Sequence, residues 1–253
     1  MQENRECPAI CHCTLSCVCA TSSPSKRIVG GTDSDITEFP HTCSLRYNGS
    51  PSCGCSILGP RKVLTSANCV VGRTASQMSV HHGSSSLLGS SVDVIDFRVH
   101  ENFRNEPGHA DGSYANNIAV IDVAEDIGGA IAVASPADGN FAGENCTITG
   151  WGSVDGSYNL SQTLQKAEIT VLTNQECADA MSGIGIINEA THICVKSPRN
   201  DTGGCHGDYG GPLTCDTVSG PVLAGVMSWG VGQLCDTSYP TGYTRLSSYV
   251  DWI

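Results

Sequence analysis

The chain is poor in positive charge: 13 Lys and Arg stand against 25 Asp and Glu in 253 residues, a formal net charge of -12 at pH 7. A surface of that sign repels a phosphate backbone, and no basic run interrupts it, so no nucleic acid is expected as a partner. Long apolar runs are also missing, and no stretch is long enough to cross a bilayer as a helix, so no membrane partner is expected. Helical periodicity is equally scarce. Nothing before residues 246–253 reads as an amphipathic helix. The residues after Met1, Gln-Glu-Asn-Arg-Glu, lack the apolar core of a secretory leader.

Cysteine, in contrast, is abundant. Fifteen in 253 residues are more than a reducing compartment accommodates outside metal or redox sites, and their scatter favours disulfides in a secreted, extracellular protein. Five of them, Cys7, Cys11, Cys13, Cys17 and Cys19, crowd residues 1–27, a segment that runs through the polar linker Thr21-Ser22-Ser23-Pro24-Ser25 to Lys26-Arg27. Disulfides are the better expectation here than thiolate ligation of a soft metal by Cys11-His12-Cys13 and Cys17-Val18-Cys19. Five cannot all pair among themselves, so the odd one is expected to bond another chain. No cofactor is expected. Across residues 28–253, short β-branched runs (61–65, 91–95, 117–121, 222–226) alternate with clusters of Gly, Ser, Asn and Pro, the pattern of an antiparallel barrel or sandwich. Sequons at Asn48, Asn145, Asn159 and Asn200 would carry glycans in a secreted chain, with Asn145 disfavoured by the Cys146 that follows it.

Six motifs occur in a fixed order: Arg27-Ile28-Val29-Gly30-Gly31, Leu64-Thr65-Ser66-Ala67-Asn68-Cys69, Asn116-Asn117-Ile118-Ala119-Val120, Gly150-Trp151-Gly152, Gly207-Asp208-Tyr209-Gly210-Gly211-Pro212-Leu213 and Ser228-Trp229-Gly230. Together they resemble the chymotrypsin/trypsin family of serine proteases from Ile28 to Ile253. The resemblance implies an all-β fold of two six-stranded antiparallel barrels and a short C-terminal helix, inside which Asp251-Trp252-Ile253 would fall. It implies disulfides Cys53–Cys69, Cys146–Cys215, Cys177–Cys194 and Cys205–Cys235. It also implies an activation switch, in which cleavage after Arg27 frees the amino group of Ile28 to pair with Asp208. Cys43 and Cys55 depart from the family pattern; they fall on adjacent strands of the first hairpin, where a cross-strand disulfide is expected rather than two buried thiols.

The family's chemistry needs a hydroxyl nucleophile, an imidazole to take its proton and a carboxylate to orient that imidazole. By resemblance these positions hold Tyr209, Asn68 and Asn117. An amide is no base near neutral pH, and a phenol with a pKa of about 10 is a poor and bulky substitute for a serine. His206 is the one histidine close enough in sequence to stand in as a base. The backbone N–H groups of Gly207 and Tyr209 would form the oxyanion hole. The substrate pocket would be lined by Gly203, Gly207, Ser228, Trp229, Gly230 and Thr241. Gly203 brings no charge to its floor, Gly230 leaves one wall open and Thr241 narrows it, so the pocket takes a small or medium apolar side chain or is filled by Tyr209 itself. The loop at 80–86 has no acidic pair for calcium, and His81 and His82 point to opposite faces of a strand, against a shared metal.

The expected function is that of a secreted serine protease homologue without a catalytic triad, which binds an extracellular protein partner, an activating protease included, in a proteolytic or defence cascade. Two alternatives stay open: a disulfide-linked component of a secreted matrix or adhesive, and an endopeptidase with residual or altered activity.

Overall fold

A computed structural model describes residues 28–153, 158–232 and 235–253; Arg27 and the five head cysteines lie outside the described residues. The first barrel begins after a short strand β1 (Thr32–Asp33), with β2 (Thr42–Tyr47), β3 (Ser50–Gly59), β4 (Lys62–Thr65), β5 (Met78–His81), β6 (Ser91–Val99) and β7 (Ala119–Val123). Asn48 and Gly49, both at positive φ (50° and 78°), reverse β2 into β3 at the tight turn such residues favour. In β6, Val92 and Val94 point inward while Ser91, Asp93 and Ile95 face water, the period of two that a half-buried strand requires. The strands close antiparallel in the order β2-β3-β4-β7-β6-β5 around fully buried Leu45, Ile57, Val63, Val80 and Ile121.

The second barrel follows β8 (Ala132–Val133) and is built from β9 (Asn145–Gly150), β10 (Gln165–Val171), β11 (His192–Lys196), β12 (Pro212–Thr217), β13 (Gly220–Trp229) and β14 (Thr241–Arg245). Its order is β10-β11-β14-β13-β12-β9, closed by β9 pairing with β10, while β1 extends β10 and β8 runs parallel to β13. Between β10 and β11 lies α1 (Asn174–Ala180), started by a capping box in which Thr173 and Glu176 satisfy each other's backbone N–H groups. The two barrels are those expected from the sequence.

At the C-terminus, residues 246–253 wind through a 3₁₀ turn, Leu246–Ser248, and a further turn in which the Trp252 and Ile253 N–H groups donate to the Tyr249 carbonyl at 2.9 and 3.0 Å. The Arg98 guanidinium lies 4.1 Å above the Trp252 ring and donates to the Trp252 carbonyl at 2.7 Å, while the Trp252 indole N–H reaches Glu101 at 3.1 Å. These bonds anchor the segment to β6 and the turn that follows it.

Five disulfides brace the barrels, the four implied by the resemblance and Cys43–Cys55. Cys43 and Cys55 face each other directly across β2 and β3 with Cα atoms 4.9 Å apart. All ten cysteines after Ile28 are thereby used. The odd count in residues 1–27 then has no intramolecular outlet, so the full chain is expected to run on a non-reducing gel partly as a dimer or larger species, and a chain lacking 1–27 as a monomer. A clean full-length monomer with one titratable thiol would overturn this expectation.

Candidate functional site

The site lies where the barrels meet. Asn68 sits in a 3₁₀ turn, Ala67–Cys69, directly after β4; Asn117 lies just ahead of β7; Tyr209 lies in the loop that enters β12. Asn117 is fully buried and its amide is fully used. Its Oδ1 accepts the Asn68 N–H at 3.0 Å, and its Nδ2 donates to Ser228 Oγ at 2.9 Å and, more weakly, to the Ser228 carbonyl at 3.3 Å. Its own carbonyl accepts from Thr244 Oγ1 at 2.9 Å, so one residue ties the first barrel to two strands of the second. A carboxylate accepts only and could not make the two bonds to Ser228 in this sense. Asn68 Oδ1 takes the Ser66 hydroxyl at 2.6 Å, turning that side chain toward its own turn.

Tyr209 is fixed through its backbone. Its carbonyl accepts the Gly54 N–H at 2.7 Å and lies 3.5 Å from the Cys69 sulfur, which brings the three positions to one place. Gly54 is there by necessity, since a Cβ on it would sit 2.7 Å from the Gly211 Cα. The half-buried Tyr209 ring packs against the cores of both barrels. Burial, and secondarily the neighbouring Tyr114, Asp208 and Tyr158, raises its phenol above the usual value, so the group keeps its proton near neutral pH and is a hydrogen-bond donor rather than a phenolate. His206, the candidate substitute base, stacks its ring on Tyr158 with centroids 4.5 Å apart. Among the described residues, the Gly207 and Tyr209 N–H groups donate to no protein acceptor.

Beneath the loop lies the buried Asp208 carboxyl. It accepts the N–H of Gly152 at 2.8 Å and of Cys205 at 3.0 Å. A Cβ on Gly150 or Gly152 would collide with its oxygens, so the Gly150-Trp151-Gly152 motif is the cradle for this group. That link was open to sequence reading, because both motifs stand out. Ile28 is buried at 1% exposure and Val29 bridges to Gly203, yet no bond from a described residue joins Ile28 to Asp208. Burial, only partly offset by the two N–H groups, pushes the Asp208 carboxyl up to about 7.

The pocket residues cluster near the loop. Gly203 is buried, and a Cβ on it would lie 3.4 Å from Thr237 Cγ2 and 3.5 Å from Thr241 Oγ1, which leaves a narrow floor. At Gly230 a Cβ would meet nothing within 4 Å, so that wall is open. Trp229 is only 4% exposed and packs with Cys177, Met181, Cys194 and Tyr114. Over it the loop before β7 joins the loop after α1: Ser113 N–H donates to Ile186 O at 2.7 Å, Ile186 N–H to Ser113 Oγ at 2.8 Å, and Asn188 Nδ2 to Asp111 O at 2.9 Å. Tyr114, Ser113 and Asn188 were not anticipated, because no motif marks the two loops.

A model of the family described as trypsin matches residues 28–253. The chain is 40% identical over 242 residues to "Fibrinolytic enzyme, isozyme C" of Lumbricus rubellus, covering 89% of this chain and 98% of the relative. It is 35% identical to trypsin beta of Drosophila erecta, covering 90% and 87%, and 31% identical to trypsin alpha-4 of Lucilia cuprina, covering 95% and 94%.

Two outcomes follow from the geometry. Asn117→Ala removes an amide that serves both barrels and leaves buried groups unpaired, so urea denaturation should show a loss of about 2–4 kcal/mol, with Asn68→Ala costing about 1 kcal/mol or less. Equal losses would mean that Asn117 does not join the barrels. For Asp208, the folded pKa of about 7 lies above the unfolded value of 3.8, so the folded state holds the proton more tightly and stability falls as pH rises from about 4 through about 7. Asp208→Asn cannot ionise. In uncut protein its stability relative to wild type should therefore improve between pH 5 and pH 8, by an amount on the order of a few kcal/mol; a difference that does not change with pH would exclude an uncompensated buried acid.

Proposed function

The chain belongs to the trypsin family, and from that premise we propose that it is a secreted serine protease homologue that does not cleave peptides but binds an extracellular protein partner, regulating or scaffolding a proteolytic or defence cascade. The observation that carries the reading is the bonding of the two amides. Asn117 gives its Nδ2 to Ser228, Asn68 turns toward Ser66, and neither is a group that can take a proton from Tyr209. The phenol held protonated by burial agrees with this, as does the packing of its ring against both cores. Five disulfides suit an oxidising compartment, and among the described residues no helix is long and apolar enough to cross a membrane.

A switch accompanies this role. Cleavage after Arg27 would create an ammonium at Ile28, and pairing it with Asp208 would let the carboxyl ionise and order the pocket loops. A second reading, an endopeptidase with altered activity, is favoured by the names of the relatives and by the two N–H groups of Gly207 and Tyr209 that donate to no described acceptor. Assay separates the two. Purified protein, cut or uncut after Arg27, should turn over no peptide ester and take no fluorophosphonate label, because no activated serine is present. Asn68→His with Asn117→Asp and Tyr209→Ser should restore hydrolysis after small apolar residues. Turnover or labelling by the unmodified chain would establish the second reading instead.

A further inference from the structure

Strands β9 and β12 carry a second polar arrangement, toward the end of β12 remote from Tyr209. Along both strands the residues alternate. Cys146, Ile148, Leu213 and Cys215 enter the core of the second barrel, while Asn145, Thr147, Thr214 and Asp216 lie on the opposite face. Thr147 and Thr214 are direct neighbours in the register of the two strands. Over this face pass the segment that joins β1 to β2 and the start of β8, with Phe39, Pro40 and Ile131 as apolar walls. The two covering segments touch, since a Cβ on Gly129 would lie 2.1 Å from the Pro40 carbonyl oxygen. They enclose a cavity of about 420 Å³, a volume typical of small-molecule sites.

The polar groups that line this cavity are acceptors left over from the fold. His41, only 4% exposed, meets Thr214 Oγ1 at 3.0 Å through Nε2; its Nδ1 bonds to none of the described residues and is not sealed from solvent. Burial holds this ring down to about 4, so it is neutral at physiological pH. When Nε2–H donates to Thr214, Nδ1 presents a lone pair to the cavity. The carboxylate of exposed Asp216 and the hydroxyl of Thr147 likewise have no partner among the described residues. Glu38 also borders the space, but its carboxylate is engaged by Lys166. No Lys or Arg lines the cavity.

This donor-poor lining selects among guests. An anion would find no counter-charge, and among the described residues no three His, Cys, Asp or Glu side chains converge as metal ligands do. A primary ammonium has three donors and no acceptor, the complement of a carboxylate, an imidazole lone pair and a hydroxyl. We propose that the cavity is a binding site for a small primary amine, held as its ammonium ion with a short apolar stem. Asp216 provides the opposite charge at the mouth, His41 Nδ1 and Thr147 accept from the ammonium, and Phe39 and Ile131 shield the stem from water. The site shares no residue with the Asn68, Asn117 and Tyr209 cluster, so it stands whether or not the chain cleaves peptides.

Full-length ¹⁵N-labelled protein is titrated with n-pentylammonium chloride at constant ionic strength, and the amides of Ala132, Thr147 and Asp216 are followed by NMR. They should shift together and saturate with one Kd, in the millimolar range or tighter, and the His41 Nδ1 resonance should move with them. The uncharged analogue 1-pentanol, with the same stem, should bind about tenfold or more weakly. Asp216→Asn lies outside the core and should weaken pentylammonium binding by about threefold or more. Asp251→Asn, which removes an exposed acid outside the cavity, should leave the Kd unchanged and so separates the site from general attraction to an acidic surface. Three results would overturn the proposal: no saturable shift at these amides, pentanol binding within twofold of pentylammonium, or equal effects of the two substitutions.

Discussion

The arrangement of the site follows from one buried carboxyl. Asp208 is buried with, among the described residues, no cation, and its two bonds come from backbone N–H groups on separate loops. That demand fixes Gly152 against the loop that carries Tyr209 and keeps side chains off Gly150 and Gly152. Gly54 clamps the same loop from the first barrel, and its carbonyl is held in turn by Thr65. A group that gains little by being buried neutral therefore determines where its neighbours lie.

Around that point, buried side chains act as connectors between the barrels. Asn117 satisfies a turn of the first barrel and two strands of the second with a single side chain. An amide suits this task better than an acid, since it donates and accepts at once and carries no charge to be desolvated. The same economy applies to Tyr209, whose ring joins the two cores.

Much of the fold is legible in the sequence. The segments around Asn68, Asn117 and Tyr209 carry local motifs, and local motifs survive because strand ends and tight turns demand particular residues. Cys43 and Cys55 could be paired from the hairpin alone. The tertiary anchors of the chain's end could not, since the Trp252 side chain and carbonyl answer to Arg98 and Glu101, over 150 positions away in sequence. For the same reason the contacts of Ser113 with Ile186, and of His41 with Thr214, left no trace in composition or period. Both depend on which segments tertiary packing brings together, and a loop's backbone oxygens look alike in every sequence.

The joining of Ser113 to Ile186 and of Asn188 to Asp111 has a further consequence for recognition. These bonds link segments from opposite barrels across the rim above Trp229, so the two halves cannot easily hinge apart there. A rim tied in this way offers a fixed contour, formed before any encounter. Binding to it would forfeit little conformational entropy, and selectivity would come from the fit of a rigid surface rather than from adjustment after contact.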